Sequence, residues 1–227
     1  DTLPGSVIWS PFPKEESTMN DLIQQALVGV SQAVELIRPW QKNLDPRKQA
    51  IQKKDYSPVT IADFAVQAWV CRHLTSIDAS LSIVAEETSS VLRENPPLLE
   101  QVFSLLHTPP TPLTPFATHE EVLNAIDRGC GSPDKDLFWT LDPIDGTKGF
   151  LRGEQYAIAL ALIHRGRVEA AILACPNLDR KDLPGQGTLL WAQAGQGCHC
   201  LGQMEPVRLD PVPPQPSRMV VSYESSH

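Results

Sequence analysis

The 227 residues lack a lysine and arginine cluster that could neutralise many phosphates, and acids outnumber bases 27 to 19 for a net charge of −8. A protein that grips a nucleic-acid backbone must neutralise several phosphates at once, so this balance argues against that class of partner. A phosphorylated ligand would have to be drawn in by metal ions instead. No apolar run approaches the roughly 20 residues that a membrane helix needs, so no membrane contact is expected. No charged-then-apolar leader opens the chain, which begins at Asp1 without a methionine, as a trimmed chain would. The five cysteines are odd in number and lack zinc-like spacing, which suits a reducing compartment. Cys198, His199 and Cys200 look metal-like, but on a strand the histidine would point away from both cysteines. The expected location is cytoplasmic, or a plastid or other organelle if the N-terminus is processed. Oligomeric state is not legible in the sequence.

What is present is enough apolar content, 41%, for one large domain or a domain and a fragment. Pro4, Gly5, Pro11 and Pro13 mark residues 1–16 as a surface extension. Met19, Leu22, Ile23, Ala26, Leu27, Val30, Val34 and Ile37 recur at helical spacing and predict a helix over 18–38, ended by Pro39. Residues 42–56 are polar and read as a mobile loop. A strand over 81–85 follows, then a proline-rich excursion over 108–115 and a helix over 120–128. Strands over 138–141, 156–163, 168–174 and 188–193, with turns at Arg165-Gly166 and around Pro184-Gly185, predict an antiparallel meander. Cys175 and Cys198 lie on strands of that meander and could come within disulfide range. After the proline-rich 211–216 a last strand is expected over 218–222. The class is mixed α/β.

The densest chemistry is the run LDPIDGTKGFLRGEQ, from Leu141 to Gln155. An apolar strand delivers Asp142 and Asp145 at its end, three residues apart, with Pro143 stiffening the turn between them. Hard divalent cations such as Mg²⁺ prefer oxygen ligands, and two carboxylates with the Ile144 carbonyl could hold one ion or bridge two. Gly146 lets backbone approach a ligand, and amides opening a helix at Thr147 attract a phosphate oxygen. The plainer reading is a turn followed by a helix cap, which explains any two of these residues but not their arrival together behind a strand. Thr60 and Asp63 have the spacing of a capping box and would start a helix in any protein. Glu86 and Glu87 could be a solvated loop, yet acids at a strand's end in an α/β sheet lie where ligands bind.

With those residues in view, the chain resembles the lithium-sensitive, Mg²⁺-dependent phosphatases of the inositol monophosphatase superfamily. DPIDGT is similar to the signature of that superfamily, and KGFLRGEQ resembles its 3′(2′),5′-bisphosphate nucleotidase branch. SPVTIAD, from Ser57 to Asp63, and VAEET, from Val84 to Thr88, are similar to its other two motifs, with alanine where many members carry glycine.

The resemblance implies a layered sugar-phosphatase-like fold: an N-terminal αβ domain with a largely antiparallel sheet, over 17–216, and a second αβ domain of which 217–227 would be only the start. It implies that Glu86, Asp142, Asp145 and the Ile144 carbonyl hold two or three Mg²⁺, with Glu87 supporting Glu86. Asp63 and Thr147 would aim and deprotonate the attacking water, and Gly146 and Thr147 would meet the phosphate. YESSH, from Tyr223 to His227, resembles the start of the second domain in the nucleotidases, which makes His227 a candidate nucleotide contact. The implied reaction is hydrolysis of the 3′-phosphate of adenosine 3′,5′-bisphosphate to AMP and phosphate, with a small phosphorylated nucleotide as the partner. An inositol phosphatase or fructose 1,6-bisphosphatase would use the same metals, and a non-catalytic metal and phosphate sensor is a further reading. The family's W-D-x-A motif, whose aspartate completes the metal site, has no counterpart after Gln155, since Trp191 is followed by alanine.

Overall fold

The computed structural model describes residues 17–44, 58–107, 116–180, 187–203 and 205–208. The expected extension over 1–16, the part of the expected 42–56 loop beyond Leu44, the excursion over 108–115, the turn at Pro184-Gly185, the strand over 218–222 and His227 lie outside them.

Six strands form one sheet in the order β1-β2-β3-β4-β5-β6. They are β1 (Ser82–Ala85), β2 (Leu137–Asp145), β3 (Ala157–His164), β4 (Arg167–Cys175), β5 (Thr188–Gln193) and β6 (Gly197–Cys200). β1 runs parallel to β2, with Ser82 opposite Phe138 and Ala85 opposite Leu141. Every later pairing is antiparallel, so the sheet is largely antiparallel. The β3–β4 turn places Arg165 and Gly166 at φ values of 49° and 73°. Consecutive positive φ values match the right-handed twist of a tight hairpin, and glycine takes one of them without steric cost.

Register explains the layering. Directly paired residues share a face, which aligns Trp139 with Leu162, Leu141 with Leu160, Leu160 with Ile172 and Ile172 with Trp191. All six are buried. Two helices, α1 (Ser17–Lys42) and α2 (Pro58–Ile77), pack against each other; α1 meets β3 and β4, and α2 meets β2. The parallel β1–β2 connection is long, as it must be, and carries α3 (Ser90–Glu94), α4 (Pro96–Leu106) and α5 (His119–Asp127). Asn95 caps α4 by accepting from the Leu98 N–H, and Thr118 caps α5 by accepting from Glu121.

Helix α2 is the centre of the unit. Every residue from 61 to 71 is buried, because α1, α4, α5 and β2 all pack on it. It begins at Pro58, so Thr60 lies inside its first turn rather than capping it. Proline suits that first position, where an N–H would have no helical acceptor.

Two other expectations are corrected. Helix α1 does not stop before Pro39 but continues to Lys42. Proline removes one N–H, and the turn beyond it is held by tertiary contacts: Trp40 stacks on Phe150 at 6.1 Å, and the Gln41 amide donates to the Phe150 carbonyl at 2.9 Å. Cys175 and Cys198 form no disulfide, and all five cysteines are free. Cys175 pairs with Thr188 and Cys198 with Ala192, so β5 lies between them and they are offset by four residues along it. That geometry separates them by well over ten ångströms, far beyond the roughly 7 Å limit between bridged Cα atoms. His199 stacks on Trp191 at 4.3 Å.

Leu160, 1% exposed at the middle of the sheet, measures what this layering contributes. Leu160→Ala leaves a cavity beneath packed helices and is expected to cost about 2–5 kcal/mol in urea unfolding. A loss below half a kcal/mol would mean that the sheet–helix interface is not close-packed there.

Candidate active site

The parallel pair ends at one corner, and the acids gather there. Glu86 and Glu87 follow β1 directly, while Asp142 and Asp145 lie within the last turn of chain in β2, which runs through to Asp145 instead of ending at Leu141. Pro143 therefore sits in a bulge and not in a turn. Asp142 pairs with Ala159 and Asp145 with Ala157, so three steps on β2 match two on β3. The consequence is chemical. In a regular strand, residues three apart point to opposite faces; one extra residue brings both carboxylates to the face shared by Ala157 and Ala159.

Asp63 comes from the first turns of α2 and is 7% exposed. Its carboxyl is pushed up to about 8, first by burial and then by the charges of Glu87, Glu86 and Asp142, with only a backbone hydrogen bond opposing. Burial, Glu86 and Asp145 raise Asp142 against the pull of the Ile144 N–H, and burial and Glu86 raise Glu87. One oxygen of Asp142, Oδ1, is buried without a hydrogen-bond partner. Like charges brought together in a partly desolvated corner are costly unless protonated or neutralised by a cation. A donor set of carboxylate oxygens with one orphaned oxygen fits a hard divalent ion. Among the described residues no three acid, imidazole or thiol groups already converge tightly enough to form a ligand cage, so the carboxylates are neighbours rather than a closed set.

Gly146, at φ 91°, ends β2 and caps α6 (Thr147–Arg152). Phe150, fully buried, anchors that short helix between Trp40 and the edge of Tyr156, 4.9 Å away. Gly149 has no room for a Cβ, which would run into the Gln155 carbonyl. Thr147 is exposed at the corner. Among the described residues no hydrogen bond joins its hydroxyl to Asp63.

The acidic loop is clamped from beneath by residues that sequence reasoning missed. Ser89, 2% exposed, donates from its N–H and hydroxyl to the two oxygens of Asp127, at 2.9 and 2.6 Å. The Ala85 N–H donates to the Gly129 carbonyl, and Gly131 donates to Ile83. Gln67 holds Glu87 from α2. Only Gln67 carried a local signal, as an amide inside the apolar run AVQAWV four residues after Asp63. Ser89 and Asp127 lie 38 residues apart, beyond any local pattern.

Comparison with known proteins shows the family and the fold. The profile described as the inositol monophosphatase family matches residues 16–227. The chain is 40% identical over 160 residues to the 3′(2′),5′-bisphosphate nucleotidase of Schizosaccharomyces pombe, covering 66% of this chain and 45% of that protein. It is 39% identical over 191 residues to 3′,5′-bisphosphate nucleotidase 2 of Arabidopsis thaliana, covering 75% of this chain and 54% of that protein. Among solved structures, an inositol monophosphatase from Anabaena (Nostoc) superposes with a TM-score of 0.51 at 15% identity, covering 86% of this chain and 51% of that one. The shared element is a mixed α/β fold. The chain belongs to the inositol monophosphatase family, and it spans about half the length of the curated relatives it matches.

The state of Asp63 makes stability depend on pH. An ordinary aspartate loses its proton near 3.8, whereas folded, metal-free Asp63 keeps it to about 8. Between those values the folded chain binds the extra proton, so stability falls as pH rises. Tm measured without divalent ions is expected to decline from pH 4 to 8, and Asp63→Asn to flatten that decline. An identical slope in the variant would remove Asp63 as its source.

Proposed function

We propose that the complete protein is a Mg²⁺-dependent phosphatase that hydrolyses the 3′-phosphate of adenosine 3′,5′-bisphosphate to AMP and phosphate. The observation that carries this reading is the gathering of Asp63, Glu86, Glu87, Asp142 and Asp145 at the end of the parallel pair, where burial first and neighbouring carboxylates second raise Asp63, Glu87 and Asp142. Support for the nucleotide as substrate comes from relatives named bisphosphate nucleotidases. Residues 17–216 would form the catalytic αβ domain, and 217–227 would open a second.

Glu86, Asp142, Asp145 and the Ile144 carbonyl would hold two or three Mg²⁺. When bound, Mg²⁺ supplies the charge neutralisation and water activation that phosphate-monoester hydrolysis demands. The Thr147 hydroxyl would orient the attacking water and pass its proton toward Asp63. The peptide amides at Gly146 and Thr147 would face the transferring phosphoryl group, with Gly146 in the left-handed conformation that glycine adopts without strain. As the water oxygen bonds to phosphorus, the bond to the 3′-oxygen breaks and that oxygen takes up a proton from solvent water. His227 would contact the nucleotide. A cytoplasmic or organellar setting suits the free cysteines.

Asp145 is exposed, so Asp145→Asn removes a charge without core volume. It is expected to abolish turnover while changing stability by no more than about 0.5 kcal/mol, and Thr147→Ala to cost less activity. Unaltered kcat in Asp145→Asn would refute the metal assignment. Assays of the complete protein with adenosine 3′,5′-bisphosphate, inositol 1-phosphate and fructose 1,6-bisphosphate at equal concentration are expected to rank the nucleotide first. A different ranking moves the chain to another substrate branch, and no phosphate release above a metal-free control makes it a sensor. Millimolar Li⁺ is expected to inhibit; indifference to Li⁺ would count against the reading.

A further inference from the structure

Gln67 is a neutral amide at 0% exposure on a helix whose other buried side chains, Asp63 apart, are apolar. A buried amide costs stability unless its donors and acceptor are used. Here they are used on one segment above all. Nε2 donates to the Glu87 carbonyl at 2.6 Å, and Oε1 accepts from the Glu87 N–H at 2.9 Å. The side chain thus pairs with both backbone groups of Glu87, as a neighbouring strand would. The second Nε2 hydrogen goes to the Ile126 carbonyl at 3.0 Å, at the end of α5. Gly129 closes over this amide: a Cβ there would lie 2.7 Å from Nε2 and 2.8 Å from the Ala85 Cβ.

Gln67 stands one helical turn after Asp63, so the two project from the same side of α2. Asp63 and Glu87 are already in electrostatic contact, and Gln67 fixes their spacing through backbone rather than through charge. Fixing both polar groups of Glu87 sets the peptide planes on either side of it, and with them the directions of the Glu86 and Glu87 side chains. Nothing in the loop itself does this, because β1 ends at Ala85 and α3 starts only at Ser90.

We infer that Gln67 is the positioning residue of the metal corner: its amide holds the Glu86–Glu87 loop in register with Asp63, and divalent-ion affinity depends on it. This rests on the metal reading of the corner proposed above. Residues that orient ligands typically change metal affinity by 10–100-fold when they are removed.

The test is Mn²⁺ binding to the complete protein, followed by the loss of free-ion paramagnetic resonance, together with amide hydrogen exchange at Glu87. Gln67→Met keeps the length and volume of the side chain and removes its three hydrogen bonds. It is expected to weaken Mn²⁺ binding by about tenfold or more and to speed exchange at Glu87, with exchange in β3 and β4 unchanged. Should Gln67→Met not fold, Gln67→Asn serves instead, since it retains the amide but ends a methylene short of Glu87; the same weakening is expected. Wild-type binding with equal affinity in the folded variant overturns the role of Gln67 and leaves the metal reading standing. No Mn²⁺ binding by the wild type overturns both.

Discussion

Electrostatic repulsion at the end of the β1–β2 pair is the constraint on which the rest of this structure turns. Two acids after β1, two on the bulged end of β2 and one on α2 occupy a corner that is only partly open to water, and Asp63 responds by holding its proton to about 8. Such a corner is unfavourable as an isolated arrangement, because burial removes solvation and each carboxylate penalises the next. It persists because the elements that carry the acids are committed elsewhere. Helix α2 is buried on every side from 61 to 71, β2 is paired on both edges, and the loop after β1 is tied to α5 through Ser89 and Asp127.

Packing therefore sustains a site that its own electrostatics would disperse. The division of labour is spatial. Apolar residues on the helix-covered face, from Trp139 to Trp191, stabilise the layers, while the acids stand where β1 and the regular part of β2 run out. A cation of sufficient charge would convert the same proximity from a cost to an attraction. Stability and function are then opposed in the empty corner and aligned in a filled one.

Much of this was legible in the sequence, and its limits have physical causes. The strand segments of the meander and helix α5 follow from short-range periodicity and turn chemistry, while the grouping of Glu86 with Asp142 came from the family resemblance and the parallel pairing of their strands was not foreseen. What periodicity could not show was the bulge at Pro143, since a proline between two acids reads equally well as a turn; only pairing with Ala157 and Ala159 distinguishes them. The end of α1 was misplaced because Pro39 is a local signal, whereas Trp40 and Gln41 are held by Phe150, more than a hundred residues away. The Cys175–Cys198 pairing failed for a related reason: strand membership does not reveal which strands are adjacent. Gln67 could be noticed as an oddity but not interpreted, because its partners lie 20 and 59 residues distant.

The order of the strands also shapes how the chain acquires this corner. From β2 to β6 each strand pairs with its successor in sequence, so those pairings close far shorter loops than the β1–β2 pair and have less entropy to overcome. The β1–β2 pair is different: its partners, such as Ile83 and Trp139, are 56 positions apart, and the intervening helices must settle before the edge strand has a place. The meander can thus exist as a nucleus while the acidic corner is still unassembled. Local opening of the native state would follow the same seam, releasing β1 and its acids as one cooperative unit and leaving the hairpins intact. Glu86 and Glu87 thus reside on the part of the molecule with the least local reason to stay, facing acids on elements that are held fast, which makes cation occupancy a determinant of how long that edge remains docked.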